Sequence, residues 1–118
     1  MLSLPSSTRV FVCRIATDMR CSFNRLSGIA KGVVQQDPLS GHLFVFLNRT
    51  RTHVKVLYFD RTGLAIWYKR LERGTFTMPS VDEIGYRDLV CVLEGLEITK
   101  KSQKVRYNRE NILPRSGT

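Results

Sequence analysis

The side chains best able to do chemistry here are ten carboxylates, three cysteines and two histidines, and their spacing argues against a catalytic centre. A nuclease or strand-transfer site needs several carboxylates converging on metal ions. Asp82, Glu83, Asp88, Glu94 and Glu97 crowd into one segment, but Asp18, Asp37, Asp60, Glu72 and Glu110 are scattered. Acids that open a helix complement its dipole, which gives Asp82, Glu83 and Asp88 a simpler role than metal binding. Asp60 suits a turn, and Glu72 suits pairing with a neighbouring arginine. His42 and His53 fit no HxH or HExxH spacing, and the glycines form no GxGxxG or Walker pattern. Cys13, Cys21 and Cys91 are odd in number, lack a CxxC pair and sit in apolar segments. That disfavours a disulfide framework, a zinc knuckle and an activated thiol. The expectation is a protein that is not an enzyme and takes no cofactor.

The cations point elsewhere. Nineteen Lys and Arg face ten Asp and Glu, a formal charge of +9 on 118 residues. A balance that basic favours a polyanionic partner. Residues 49–73 hold seven basic residues, Arg49, Arg51, Lys55, Arg61, Lys69, Arg70 and Arg73, against Asp60 and Glu72. Residues 99–118 are basic too, with Lys100, Lys101, Lys104 and Arg106 in a polar run, while residues 74–98 are acidic. Segregation of this kind orients docking. Cations on strand edges also deter edge-to-edge aggregation, which accounts for part of the pattern but not for its concentration. The connection Asn48-Arg49-Thr50-Arg51-Thr52 sets two guanidinium forks among amide and hydroxyl groups, a composition suited to phosphate contacts.

The elements that must hold these cations follow from periodicity. RVFVCRI, residues 9–15, alternates as a strand does. Phe23, Leu26, Ile29, Ala30 and Val33 recur at helical spacing, with Asp18 or Thr17 as the cap and Asp37-Pro38 as the stop. LFVFLN, residues 43–48, is an apolar run too short for a helix and reads as a buried strand. HVKVLYFD and GLAIWYKRL flank Asp60-Arg61-Thr62-Gly63 as a hairpin. A type I turn closed by a left-handed Gly63 sets Asp60 opposite Leu64. That register puts Val54, Val56 and Tyr58 on one face with Ile66, Tyr68 and Arg70, and Lys55, Leu57 and Phe59 on the other with Ala65, Trp67 and Lys69. The second face fits either base stacking, with Trp67 as a candidate, or a second apolar layer with lysine stems reaching outward. A further helix begins near Tyr86, striped by Leu89, Val92, Leu93 and Leu96, with Gly95 as its C-terminal cap. The fold class is α+β: one domain over residues 1–98 with an N-terminal strand and helix, a three-stranded antiparallel meander and a second helix. A basic, partly disordered tail over 99–118 completes it.

The run SGHLFVFLNRTRTHVKVLYFDRTGLAIWYKRLERGTFTMP, residues 40–79, resembles the small accessory protein encoded by the second reading frame of insertion sequences of the IS sixty-six class. DMRCSFNRLSGIAKGVV resembles that family's first helix, and Val92-Leu93-Glu94-Gly95-Leu96 its Leu-Leu-x-Gly-Ile-like segment. Arg20-Cys21 and Val92 depart from the family pattern without touching the basic comb. The resemblance implies a bacterial accessory that partners a transposase encoded separately by the same element, is needed alongside it for efficient transposition, and has a DNA-binding role.

Three expectations follow. The first is a non-catalytic transposition accessory that binds DNA, at element ends or target, through Arg49, Arg51, Lys55, Arg61, Trp67, Lys69, Arg70 and Arg73, with Lys100, Lys101, Lys104 and Arg106 adding affinity. The second is an adaptor that grips the transposase through residues 82–97. The third and weakest is a metal nuclease using Asp82 or Glu83. The aromatic hairpin face also suits a homodimer interface. No apolar run reaches membrane-spanning length, so a soluble, cytoplasmic protein is expected.

Overall fold

Four apolar segments of this chain are too short to hide themselves and must share one sheet. In a computed structural model of the protein, residues 7–95 are described. Strands β1 (Val10–Val12), β2 (Leu43–Leu47), β3 (His53–Asp60), β4 (Gly63–Arg70) and β5 (Glu83–Ile84) lie in the order β4-β3-β2-β1-β5. Helix α1 (Phe23–Ile29) follows β1, and helix α2 (Tyr86–Leu93) follows β5. The sheet is mixed: β1 pairs parallel with β2 and antiparallel with β5, while β2, β3 and β4 pair antiparallel in chain order. The domain is therefore α+β, with a five-stranded sheet in place of three strands plus one unassigned.

Every residue of β2 is buried, as a central strand covered on both faces requires. On one face Val10, Val12, Val45, Val54 and Val56 pack with Phe76, Met78 and the Leu89, Val92 and Leu93 stripe of α2. On the other, Phe11, Cys13, Phe44, Phe46 and Leu57 pack with Leu26 and Ala30. Two clusters back to back explain why the chain alternates so cleanly along β1 and β3.

The first helix departs from its expected outline. It begins at Phe23 after Ser22, which makes no side-chain cap, so neither Thr17 nor Asp18 caps it. Asp18 instead accepts bonds from the backbone and guanidinium of Arg20. After Ile29 the backbone widens into a π turn, Ala30–Val34, closed by Gln35 in the left-handed region at φ 63°. The wider turn rotates Val33 off the apolar face, leaving it 48% exposed. The second helix matches its expected start, and Gly95 follows it at φ +79°, donating its N–H to the Val92 carbonyl. Leu96 and the tail lie outside the described residues.

The hairpin has the expected strands and a different register. Asp60 pairs with Gly63, so the loop has two residues, Arg61 and Thr62, and Arg61 takes the positive φ of 53° expected of Gly63. Twist-matched two-residue loops need a positive φ at their first position, which is why the burden falls on Arg61. A slip of one residue exchanges faces. Trp67 now pairs with Val56 and packs on the α2 side, while Tyr68 pairs with Lys55 on the α1 side.

Candidate nucleic-acid interface

Because β1 and β2 run parallel, their C-terminal ends open at the same end of the sheet. There the chain leaves β1 through Cys13-Arg14-Ile15-Ala16 and leaves β2 through Asn48-Arg49-Thr50-Arg51. With Met78-Pro79-Ser80 these segments line an open groove of about 520 Å3. The Cys13 N–H donates to the Val45 carbonyl at 2.9 Å and the Thr17 N–H to the Leu47 carbonyl at 2.8 Å, which locks the first segment to the second strand.

The 48–53 connection is internally bonded rather than loose. The Asn48 Oδ1 accepts from the Thr52 and His53 N–H groups at 2.9 and 3.0 Å, and its Nδ2 donates to both Thr50 and Thr52 hydroxyls. The amide and hydroxyls expected to meet phosphate therefore shape the loop instead, and the guanidinium groups are what it presents. Arg51 sits at φ 59° and reaches the Met78 carbonyl at 3.4 Å. The Leu71 N–H donates to the Thr52 carbonyl and the Phe76 N–H to the Arg51 carbonyl, at 2.9 and 2.7 Å. Those two bonds pin the 71–76 loop, and with it Arg73, beside the 48–53 connection.

Five arginines, Arg14, Arg49, Arg51, Arg70 and Arg73, are thus brought to one end of the sheet, all exposed. Two have acid partners: Arg70 pairs with Glu72 at 2.9 Å, and Arg14 lies 3.6 Å from Asp82 while donating to the Ser80 hydroxyl. Among the described residues Arg49, Arg51 and Arg73 have no ion pair.

The remaining candidates are placed differently. Lys55, expected on the basic surface, is 8% exposed. Its ammonium donates to the Met19 and Cys21 carbonyls at 2.8 Å each and lies 4.7 Å from the Tyr68 ring centre. Lys69 donates to the Leu93 carbonyl at 2.8 Å, satisfying the end of α2. Trp67 packs against the α2-side core. Arg61 stands at the far end of the hairpin, about 23 Å away at ~3.3 Å per residue. Lys100, Lys101, Lys104 and Arg106 lie outside the described residues. Arg14 was missed by sequence reasoning. A strand, a helix and a second strand in succession commonly give parallel pairing, and that would have placed it beside Arg49.

Two acids of the acidic segment are engaged within the chain. Glu83 forms a two-pronged pair with Arg9 at 2.7 and 2.9 Å, and this hydrogen bonding lowers the carboxyl from its ordinary value and raises the guanidinium. Asp82 faces Arg14, so of the three acids expected at the helix start only Asp88 lies in the first turn. Burial pushes the Cys91 thiol up, the wrong direction for a nucleophile. Among the described residues no three His, Cys, Asp or Glu side chains gather as a metal site, and no helix is long and apolar enough to cross a membrane.

Known proteins similar to the chain match most of its length. It is 39% identical over 101 residues to the uncharacterized protein y4hO of Sinorhizobium fredii (strain NBRC 101917 / NGR234), covering 82% of this chain and 88% of that one. It is 25% identical over 108 residues to the uncharacterized protein y4jC of the same strain, covering 88% and 92%. No solved structure matches it. The family of IS66 Orf2-like proteins matches residues 8–103, a span that takes in the whole sheet, both helices and the arginine-rich end, and the chain belongs to that family.

Proposed function

We propose that this insertion-sequence accessory protein is non-catalytic, binds DNA through the arginine end of its sheet, and works beside a separate transposase. Membership of the IS66 Orf2-like family supports the transposition setting. The observation that carries the DNA reading is the convergence of Arg14, Arg49, Arg51, Arg70 and Arg73 from separate segments of the chain, held in place by backbone bonds, with Glu72 and Asp82 as their acid partners among the described residues. Guanidinium groups spaced across one end of the sheet suit successive phosphates, and neutralising those phosphates releases counterions on binding. The adaptor reading has less support, because Asp82 and Glu83 are engaged by Arg14 and Arg9.

The test is fluorescence anisotropy on a labelled duplex carrying the element's terminal repeat, across a salt series. Replacing Arg49, Arg51 and Arg73 together with glutamine should flatten the slope of log affinity against log salt by roughly 0.9 for each phosphate no longer neutralised. Unchanged affinity and slope would overturn the assignment. Retention of the transposase by the triple variant in high salt, with no DNA binding by the parent, would transfer the lead to the adaptor.

A further inference from the structure

Tyr68 is the exposed aromatic of the sheet at the arginine end. On the α1 side of β4, Leu64 and Ile66 pack against the second core cluster. Tyr68, the next residue on that side, is 52% exposed, and Arg70 follows it two residues on. Among the described residues β4 is the edge strand of the sheet, and no further strand flanks Tyr68. Aromatic residues in strands normally bury their rings; this one stays about half exposed where cations gather.

The ring has two fixed neighbours. The Lys55 ammonium lies 4.7 Å from the ring centre and is itself anchored by the Met19 and Cys21 carbonyls. A cation fixed in this way holds the ring in one orientation, so less freedom is lost when something stacks on it. The His53 ring stands 6.0 Å from the Tyr68 ring, inclined at 34°, and joins the 48–53 connection through a 2.8 Å contact with the Thr52 hydroxyl. His53 thus links the Tyr68 ring to the connection that carries Arg49 and Arg51, and Arg70 lies two residues beyond Tyr68 in β4.

We infer that Tyr68 stacks an unpaired base of single-stranded DNA whose backbone runs along the arginine end. The inference rests on the DNA reading above and narrows it to a strand with exposed bases. In a duplex the bases stack on one another and offer no free face; in a single strand or a frayed end they do, and every base has one. The sequence-based candidate for this role, Trp67, is committed to the core on the α2 side.

The test compares the full chain with Tyr68→Phe and Tyr68→Ala on three probes of matched length: an oligothymidylate, the same strand with abasic residues throughout, and a duplex. Stacking on one base is worth about 5- to 150-fold in affinity. Tyr68→Ala should lose that much on the oligothymidylate and little on the abasic strand or duplex, and Tyr68→Phe should keep it. Circular dichroism and thermal melting of each variant confirm that the fold is retained. Equal losses on all three probes would make Tyr68 a structural support and overturn the inference. Unchanged affinity of Tyr68→Ala for the oligothymidylate would also overturn it while leaving the arginine reading intact, and no binding of the parent to any probe would overturn both.

Discussion

Replacing Lys55 by methionine separates a packing lysine from a phosphate-binding one. The substitution keeps the stem and deletes an ammonium that makes two 2.8 Å bonds to main-chain carbonyls in a site only 8% exposed. An unsatisfied carbonyl costs about 1–3 kcal/mol when buried, but Met19 is half-buried and water can reach part of the site. Relief from holding a desolvated charge returns some of that cost, and removing the cation from beside the Tyr68 ring adds ~0.5–1 kcal/mol. The net expectation is a loss of about 2–3 kcal/mol against the ~5–15 kcal/mol available to a domain, so the variant still folds. Urea denaturation should show the lower midpoint, and melting should fall by roughly 10–20 °C. Duplex affinity of the folded variant should stay at the parental level. If K55M melts with the parent and yet binds duplex DNA weakly, the ammonium is a phosphate ligand and the packing account is wrong.

Two further substitutions probe features away from the arginine end. Arg61 holds φ 53° at a loop position where asparagine is better tolerated, so Arg61→Asn should stabilise the domain by about 0.5–1 kcal/mol in urea titration. DNA affinity should be unaffected, because this loop sits at the other end of the hairpin. The Arg20 guanidinium, helped by the Arg20 N–H, holds the Asp18 carboxyl at about 2, below its ordinary 3.8. A folded value below the unfolded one means that the stabilisation is complete above pH 3.8 and is lost as pH falls toward 2. Thermal melts between those limits should therefore descend for the parent and less steeply for Asp18→Asn; parallel curves would refute the pairing.

How far the sequence discloses the fold depends on how local the deciding interaction is. LFVFL is legible because a fully covered strand is apolar at every position, and the stripe of α2 is legible because 3.6-residue spacing survives over its turns. The hairpin strands are legible, yet Asp-Arg-Thr-Gly accommodates loops of two or three residues, and the choice between them decides whether Trp67 or Tyr68 faces solvent. Glu83–Ile84 is too short to display any period, so β5 left no mark. The comb of cations contained two kinds of residue with identical sequence appearance. Lys55 and Lys69 are bound to carbonyls at Cys21 and Leu93, 34 and 24 residues away, and only the fold reveals such partners. Arg14 was missed for a different reason: its neighbours in the candidate interface come from β2 through parallel pairing, which shows in the order of strand, helix and strand and not in the residues around Arg14.

The pairing of β1 bears on how the chain acquires its structure. The hairpin of β3 and β4 closes across two residues and can form in microseconds. Strand β1 meets β5 across a separation of 74 residues, the same as between Arg9 and Glu83, and that loop must close before Val10 gains its second neighbour. During synthesis the ribosome releases β1 before every other strand and β5 after them, so an emerging chain carries Val10, Phe11 and Val12 as an unprotected apolar edge until Glu83–Ile84 and α2 arrive. A product that stops short of residue 83 keeps that edge open permanently and is prone to pair with other chains.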